Sequence, residues 1–196
     1  MTDKKDSSVN TGLDLTNQLL VAMPGVVGGS LADTVIYICE HNAEGALGLV
    51  INRPTDITVG DLLQRIELDL SLEIGPVKDT PVFFGGPVQT DRGFVLHMAG
   101  SSYSSSLDLG TMRLTTSRDI LEDVSQGNAP SPMAIYLGYA GWGAGQLEDE
   151  MADNAWLNVD SNHDLLFNVP AKDRYKHALK QLGIDPYTLV GNAGRA

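Results

Sequence analysis

Residues 34–54 constrain the fold more than any other stretch of this chain. Residues 34–40 (TVIYICE) and 46–54 (ALGLVINRP) are rich in β-branched and aromatic side chains, and residues 41–45 between them (HNAEG) carry Asn and Gly. That composition predicts a strand, a short loop and a returning strand. With residues 41–45 as the loop, Glu40 faces Ala46, and the pairing runs outward as Ile38 with Gly48, Ile36 with Val50 and Thr34 with Asn52. The other face then carries Val35, Tyr37, Cys39, Leu47, Leu49 and Ile51. Both faces are largely apolar, so this hairpin must be covered on two sides and sit centrally in a layered fold. Its polar residues fall at the ends: Glu40, His41 and Asn42 at the tip, Asn52 and Arg53 at the exit.

A chain of 196 residues with 42% hydrophobic content is long enough for one well-packed core. Aromatic residues make up only 6% while Gly occurs 21 times, so the core must be mostly aliphatic and the elements short, which fits a sheet-rich α+β fold. Residues 1–12 (MTDKKDSSVNTG) are too poor in apolar groups to offset the entropy of ordering, which predicts a disordered tail followed by a single domain over 13–196. The 25 acidic and 13 basic residues give a net charge of −12. Such a surface repels phosphate backbones and anionic lipids, and no Lys/Arg run offers a local basic patch, which argues against direct nucleic-acid binding. The lone cysteine cannot form an internal disulfide, no signal-peptide pattern opens the chain, and no apolar run approaches the roughly 20 residues of a membrane span. These features predict a cytoplasmic protein with no membrane segment.

Taken in order, residues 19–23 (LLVAM), stopped by Pro24 and Gly25, predict a strand added to the hairpin, with a Gly-rich connector over 26–33. Thr58 with Asp61 predicts a capped helix whose Leu62, Leu63 and Ile66 point inward. Residues 81–84 and 93–97 read as a second strand pair, and residues 111–115 as a further strand. Thr116 with Asp119 then predicts a helix that buries Ile120, Leu121 and Val124 and ends at Gly127. Residues 133–137 (MAIYL) form the strongest strand signal of the second half and lead into what reads as a glycine-rich loop over 138–145, followed by an acidic helix start at residues 146–150. Leu147, Met151 and Ala155 give that helix a narrow buried stripe. Residues 165–167 suggest a last strand, and Pro170 opens a C-terminal helix with Ala171, Tyr175, Ala178, Leu179 and Leu182 on one face until Gly183.

Three constellations invite chemistry. Cys39 and His41 would share a face of an ideal strand, as a thiolate and its base must, but Cys39 sits among aliphatic neighbours and His41 is entering the loop, so a small buried hydrophobe is the better reading. Glycines 141, 143 and 145 before a helix invite a phosphate, yet Glu148, Asp149 and Glu150 occupy that helix's first turn and the spacing is not the dinucleotide fingerprint. His41, His97, His163 and His177 lack metal-ligand spacing. No cofactor, metal or catalytic residue is therefore expected.

Several motifs, in this order, carry a family resemblance: residues 22–24 (AMP), 37–42 (YICEHN), 48–54 (GLVINRP), 84–88 (FGGPV), 92–97 (RGFVLH) and 141–148 (GWGAGQLE). Together they resemble the YqgE/AlgH family of bacterial proteins over residues 15–182. The resemblance implies a single-domain α+β fold with strongly bent sheets, built here around the hairpin of residues 34–53 with flanking helices, in the bacterial cytoplasm. Members named AlgH have been linked to transcriptional regulation, and the family assigns no catalytic or cofactor residue.

Nine polar residues lie in these motifs without an obvious cap or turn role: Glu40, His41, Asn42, Asn52, Arg53, Arg92, His97, Gln146 and Glu148. They are the candidate binding or structural cluster at one rim of the sheet, with Arg53 and Arg92 expected to pair with Glu40 or Glu148, more as an architectural lock than as a cleft. The favoured function is a non-catalytic binding or regulatory protein acting through a protein partner. The alternative is a small-ligand binder or hydrolase-type enzyme with a polar cleft at that rim.

Overall fold

The hairpin of residues 34–54 forms, with one difference at its tip. In the computed structural model, which describes residues 13–185, strand β1 (Gln18–Ala22) pairs antiparallel with β2 (Val35–Asn42), and β2 with β3 (Gly45–Val50). Ile36 faces Val50 and Ile38 faces Gly48 as expected, but the loop contracts to Ala43 and Glu44 and a bulge at Cys39 takes up the extra residue. Glu40 consequently faces Leu47, and His41 faces Ala46. No Thr34–Asn52 pair extends the ladder; the Val35 N–H donates instead to the Asn52 side-chain oxygen at 2.9 Å. The tail predicted over 1–12 lies outside the described residues.

Strand β4 (Pro54–Thr58) leads into helix α1 (Val59–Arg65), where the Thr58 hydroxyl accepts from the Asp61 N–H and the Asp61 carboxylate from the Thr58 N–H, the predicted capping box. Short 3-10 turns over Leu72–Asp79, kinked at Gly75, precede β5 (Pro81–Phe84). Then come β6 (Val88–Met98), β7 (Ser106–Asp108), β8 (Met112–Thr115) and α2 (Arg118–Ser125). Ser117, not Thr116, is the residue before α2 with extended backbone, and its hydroxyl donates to Asp119. Strand β9 (Met133–Gly143) runs eleven residues into α3 (Gln146–Ala152), β10 (Trp156–Asp160) and finally α4 (Ala171–Gln181).

Strand β9 overturns two expectations. Residues 138–143 are not a loop: Ala140 and Trp142 point into the core, and the strand pairs with β3 through Gly48–Ala140, Leu47–Gly141, Ala46–Trp142 and Gly45–Gly143. The period-2 alternation of a strand is present there, but glycine at the outward positions disguises it. The supposed pair of β5 and β6 is also split, because β9 lies between them, parallel to β5 and antiparallel to β6. The sheet order is β10-β1-β2-β3-β9-β6-β8-β7, with β5 and β4 branching from β9. The chain bends where Gly138 takes φ +72° and the β6–β9 register shifts between Val88 and Gly93. The result is a strongly curled, mostly antiparallel sheet with flanking helices, the expected fold class.

Residues 165–167 are no strand either. They lie in a π-type turn (Asp164–Asn168) that buries Leu165 and Leu166 together, held by the Leu165 N–H donating to Asn162 Oδ1 and the Val169 N–H to the Asp164 carbonyl. The two faces of the hairpin are covered as predicted. Val35, Tyr37, Cys39, Leu49 and Ile51 pack under Leu165, Leu166, Ala178 and Leu179, while Ile36, Ile38 and Val50 pack with Trp142, Leu147 and Trp156. A third cluster joins α1 and α2 to β6 and β9 through Leu63, Ile120, Val124, Val95 and Ile135. No helix among the described residues is long and apolar enough to cross a membrane.

Candidate functional site at the hairpin tip

The bulge at Cys39 decides what the tip presents. It breaks strand parity, so His41 lies on the side of Ile38 rather than of Cys39, which separates the supposed thiolate and base. Cys39 is 1% exposed among aliphatic side chains, and burial pushes its thiol well above the ordinary range. His41 is buried and its ring bridges two elements: Nδ1 accepts from the Leu15 N–H at 3.1 Å, which leaves the ring hydrogen on Nε2 to donate to Glu148 Oε1 at 3.2 Å. Glu148 Oε2 is buried with no hydrogen-bond partner among the described residues.

Beside it, α3 is fastened by Glu150, which the sequence reading counted only among the acidic residues at the start of the helix. Glu150 Oε2 accepts from both indoles, Trp142 Nε1 at 2.8 Å and Trp156 Nε1 at 2.7 Å, while Oε1 accepts from Gln146 Nε2 at 2.9 Å. Gln146 Oε1 in turn accepts the Gly143 N–H. The two indoles meet edge to face at 5.9 Å. The signal was present, since the two tryptophans of the chain flank Glu150.

Glu40 and Asn42 point the other way, into an open groove of about 420 Å³ that Glu44 also rims and that Leu47, Val88 and Tyr139 floor. Asn42 Nδ2 donates to Glu40 Oε1 at 3.0 Å and its Oδ1 accepts the Glu44 N–H, which sets the rim geometry. Here two of the candidate residues, Glu40 and Asn42, meet solvent around a concavity.

The remaining candidates do not join it. Asn52 bridges the Val35 N–H and the Asp33 carbonyl, and Arg53 donates to the Ala32 carbonyl. Arg92 donates to Gln89 and lies over the Phe94 ring at 5.3 Å. The expected Arg53 and Arg92 ion pairs with Glu40 or Glu148 are absent among the described residues, because each guanidinium is satisfied locally by carbonyl, amide or ring. His97 lies far along β6, paired with Arg113 of β8. Sequence reasoning also passed over Arg174, which is 4% exposed inside the core.

A family model described as AlgH-like matches residues 19–187. A UPF0301 protein of Bordetella petrii is 62% identical over 97% of this chain and 94% of its own length, and one of Ralstonia nicotianae is 53% identical over 97% and 100%. The solution structure of the AlgH protein from Pseudomonas aeruginosa matches with a TM-score of 0.77 at 41% identity, covering 100% of both chains. With its curled sheet, its central hairpin and a match spanning nearly the whole chain, this protein belongs to the AlgH-like family.

Proposed function

We propose that this protein is a non-catalytic binding protein that regulates by protein contact in the bacterial cytoplasm, and that the groove at the hairpin tip receives a basic segment of its partner. The observation that carries this reading is the groove itself. Its rim is set by Glu40, Asn42 and Glu44, its floor is apolar and aromatic, and no cation among the described residues lines it. Carboxylates over an aromatic floor suit Arg or Lys side chains, by ion pairing and by cation–π contact with Tyr139. The polar groups with catalytic potential, His41 and His97, are meanwhile occupied in internal hydrogen bonds. The link of AlgH proteins to transcription would then run through a protein partner, since a net charge of −12 opposes contact with DNA.

The test is capture from native bacterial lysate with the wild type and a Glu40→Lys/Glu44→Lys double variant. The expected outcome is a partner held by the wild type, released as salt rises and lost by the charge-reversed protein. An identical set of captured proteins for both, or failure to hold any protein combined with turnover in a hydrolase screen, overturns the reading.

A further inference from the structure

Arg174 is a buried cation without a counter-ion among the described residues. It sits in the first turns of α4, 4% exposed, with Nε donating to the Val169 carbonyl at 2.9 Å, Nη1 donating to the Ile51 carbonyl, and the guanidinium stacked 5.2 Å from the Phe83 ring centroid. Every one of those partners is neutral. No carboxylate among the described residues pairs with it, in a chain that carries 25 acidic residues against 13 basic ones. The buried Tyr136 hydroxyl lies against the guanidinium, and it too is neutral. Burying a lone ion is costly, and two carbonyls, a ring and a hydroxyl offset only part of that cost.

The guanidinium forms one wall of a cavity of about 300 Å³ between β5, β9, the π-type turn and the start of α4. Phe83, Ala134, Leu166, Phe167 and Ala171 supply much of the remaining wall, and no other charged side chain among the described residues lines it. That volume is at the low end of the roughly 300–1,000 Å³ range of small-ligand pockets. We propose that this cavity binds a small monocarboxylate with an apolar body, its carboxylate against Arg174 and its tail between Phe167, Leu166 and Ala171. One guanidinium among apolar walls matches a single negative charge with a planar pair of oxygens. A phosphate would bring more charge and more acceptors than the cavity has donors to meet.

The experiment is a titration of the isotope-labelled full chain by amide NMR with sodium hexanoate, with hexanamide as its uncharged isostere and sodium chloride at matched ionic strength. Hexanoate is expected to shift amides of residues 166–174 saturably, at least about ten-fold more tightly than hexanamide, with chloride silent. Arg174→Met should weaken hexanoate by a similar factor. Ala171→Phe, which fills the cavity and leaves the cation in place, should block it, so the proposal stays testable if the Met variant does not fold. Equal binding of hexanoate and hexanamide, no saturable shift with hexanoate, or unchanged affinity in the Ala171→Phe protein overturns it. Shifts confined to residues 40–47 would do the same, and they mark the hairpin groove rather than this cavity, so the two proposals fail separately.

Discussion

His97 is fully buried, and its neighbours fix which ring nitrogen carries the hydrogen. The Met98 carbonyl can only accept, so Nδ1 donates to it at 2.8 Å; Nε2 then accepts from the Thr115 hydroxyl at 2.8 Å, and Thr115 accepts in turn from Ser106 at 2.7 Å. Protonation at Nε2 would reverse this chain, turning the Thr115 hydroxyl to accept from the ring and donate to Ser106, and would place a charge in a desolvated site. Burial, opposed by the Met98 bond and aided by Arg113, accordingly holds His97 below its ordinary value of 6.5. An unfolded chain takes up this proton first as pH falls, so the contribution of His97 to stability is complete above about 6.5 and is lost as pH drops toward the lower folded value. Urea midpoints should therefore decline between pH 7.5 and pH 5.5 in the wild type, and decline less in His97→Gln; an equal decline in both would contradict the assignment. His97 was legible in the sequence as a motif residue, but its role was not. That role depends on a hydroxyl eighteen residues away on the neighbouring strand, which only the β6–β8 register reveals. Arg174 was missed for the converse reason. Positively charged residues on an amphipathic helix are normally solvated, and nothing local marks the one that turns inward.

Among the elements, β9 does most to shape the molecule, and only its first part, residues 133–137, was legible as a strand. The hairpin, the Thr58 cap and the C-terminal helix are announced by composition and spacing within a dozen residues, whereas 138–143 is a strand only because two other strands claim it. Glycine makes those claims possible. Gly86, with φ +154°, passes so close to β9 that a Cβ there would overlap the Tyr139 carbonyl carbon and the Ala140 nitrogen, both backbone atoms that cannot swing aside. Gly93, on the same stretch of chain, has open space around its Cβ position and no left-handed backbone. Gly86→Ala is expected to cost at least about 3 kcal/mol in urea unfolding, from overlap and strain together. Gly93→Ala should stay within about 0.5 kcal/mol. Comparable losses in the two variants would mean that the close crossing of the 85–88 segment and β9 is not what Gly86 protects. Strands β4, β7 and β10 escaped the sequence reading for a related reason: β4 (PTDIT) and β7 (SLD) have almost no apolar content, and β10 begins one residue after Ala155, which the four-residue spacing assigned to a helix that in fact ends at Ala152.

For the molecule as a whole, the question is whether three separate apolar clusters make one cooperative unit. Strand β9 threads all of them: Ala140 and Trp142 lie in the cluster with α3, Tyr136 in the cluster under α4, and Ile135 in the cluster under α1 and α2. The hairpin likewise contributes one face to each of two clusters. A strand that loses its neighbours on one side exposes backbone and side chains on the other, so no cluster can open without weakening the next. The placement of the tryptophans makes this measurable, because Trp142 and Trp156 both report on the α3 cluster and the chain has no others. Urea unfolding followed by tryptophan fluorescence should have the same midpoint and slope as unfolding followed by far-ultraviolet circular dichroism, which weighs the whole sheet and all the helices. An earlier fluorescence transition would show that α3 and β10 detach from the rest. In that case the Glu150 clamp on the two indoles, rather than the continuity of β9, would set the stability of that side.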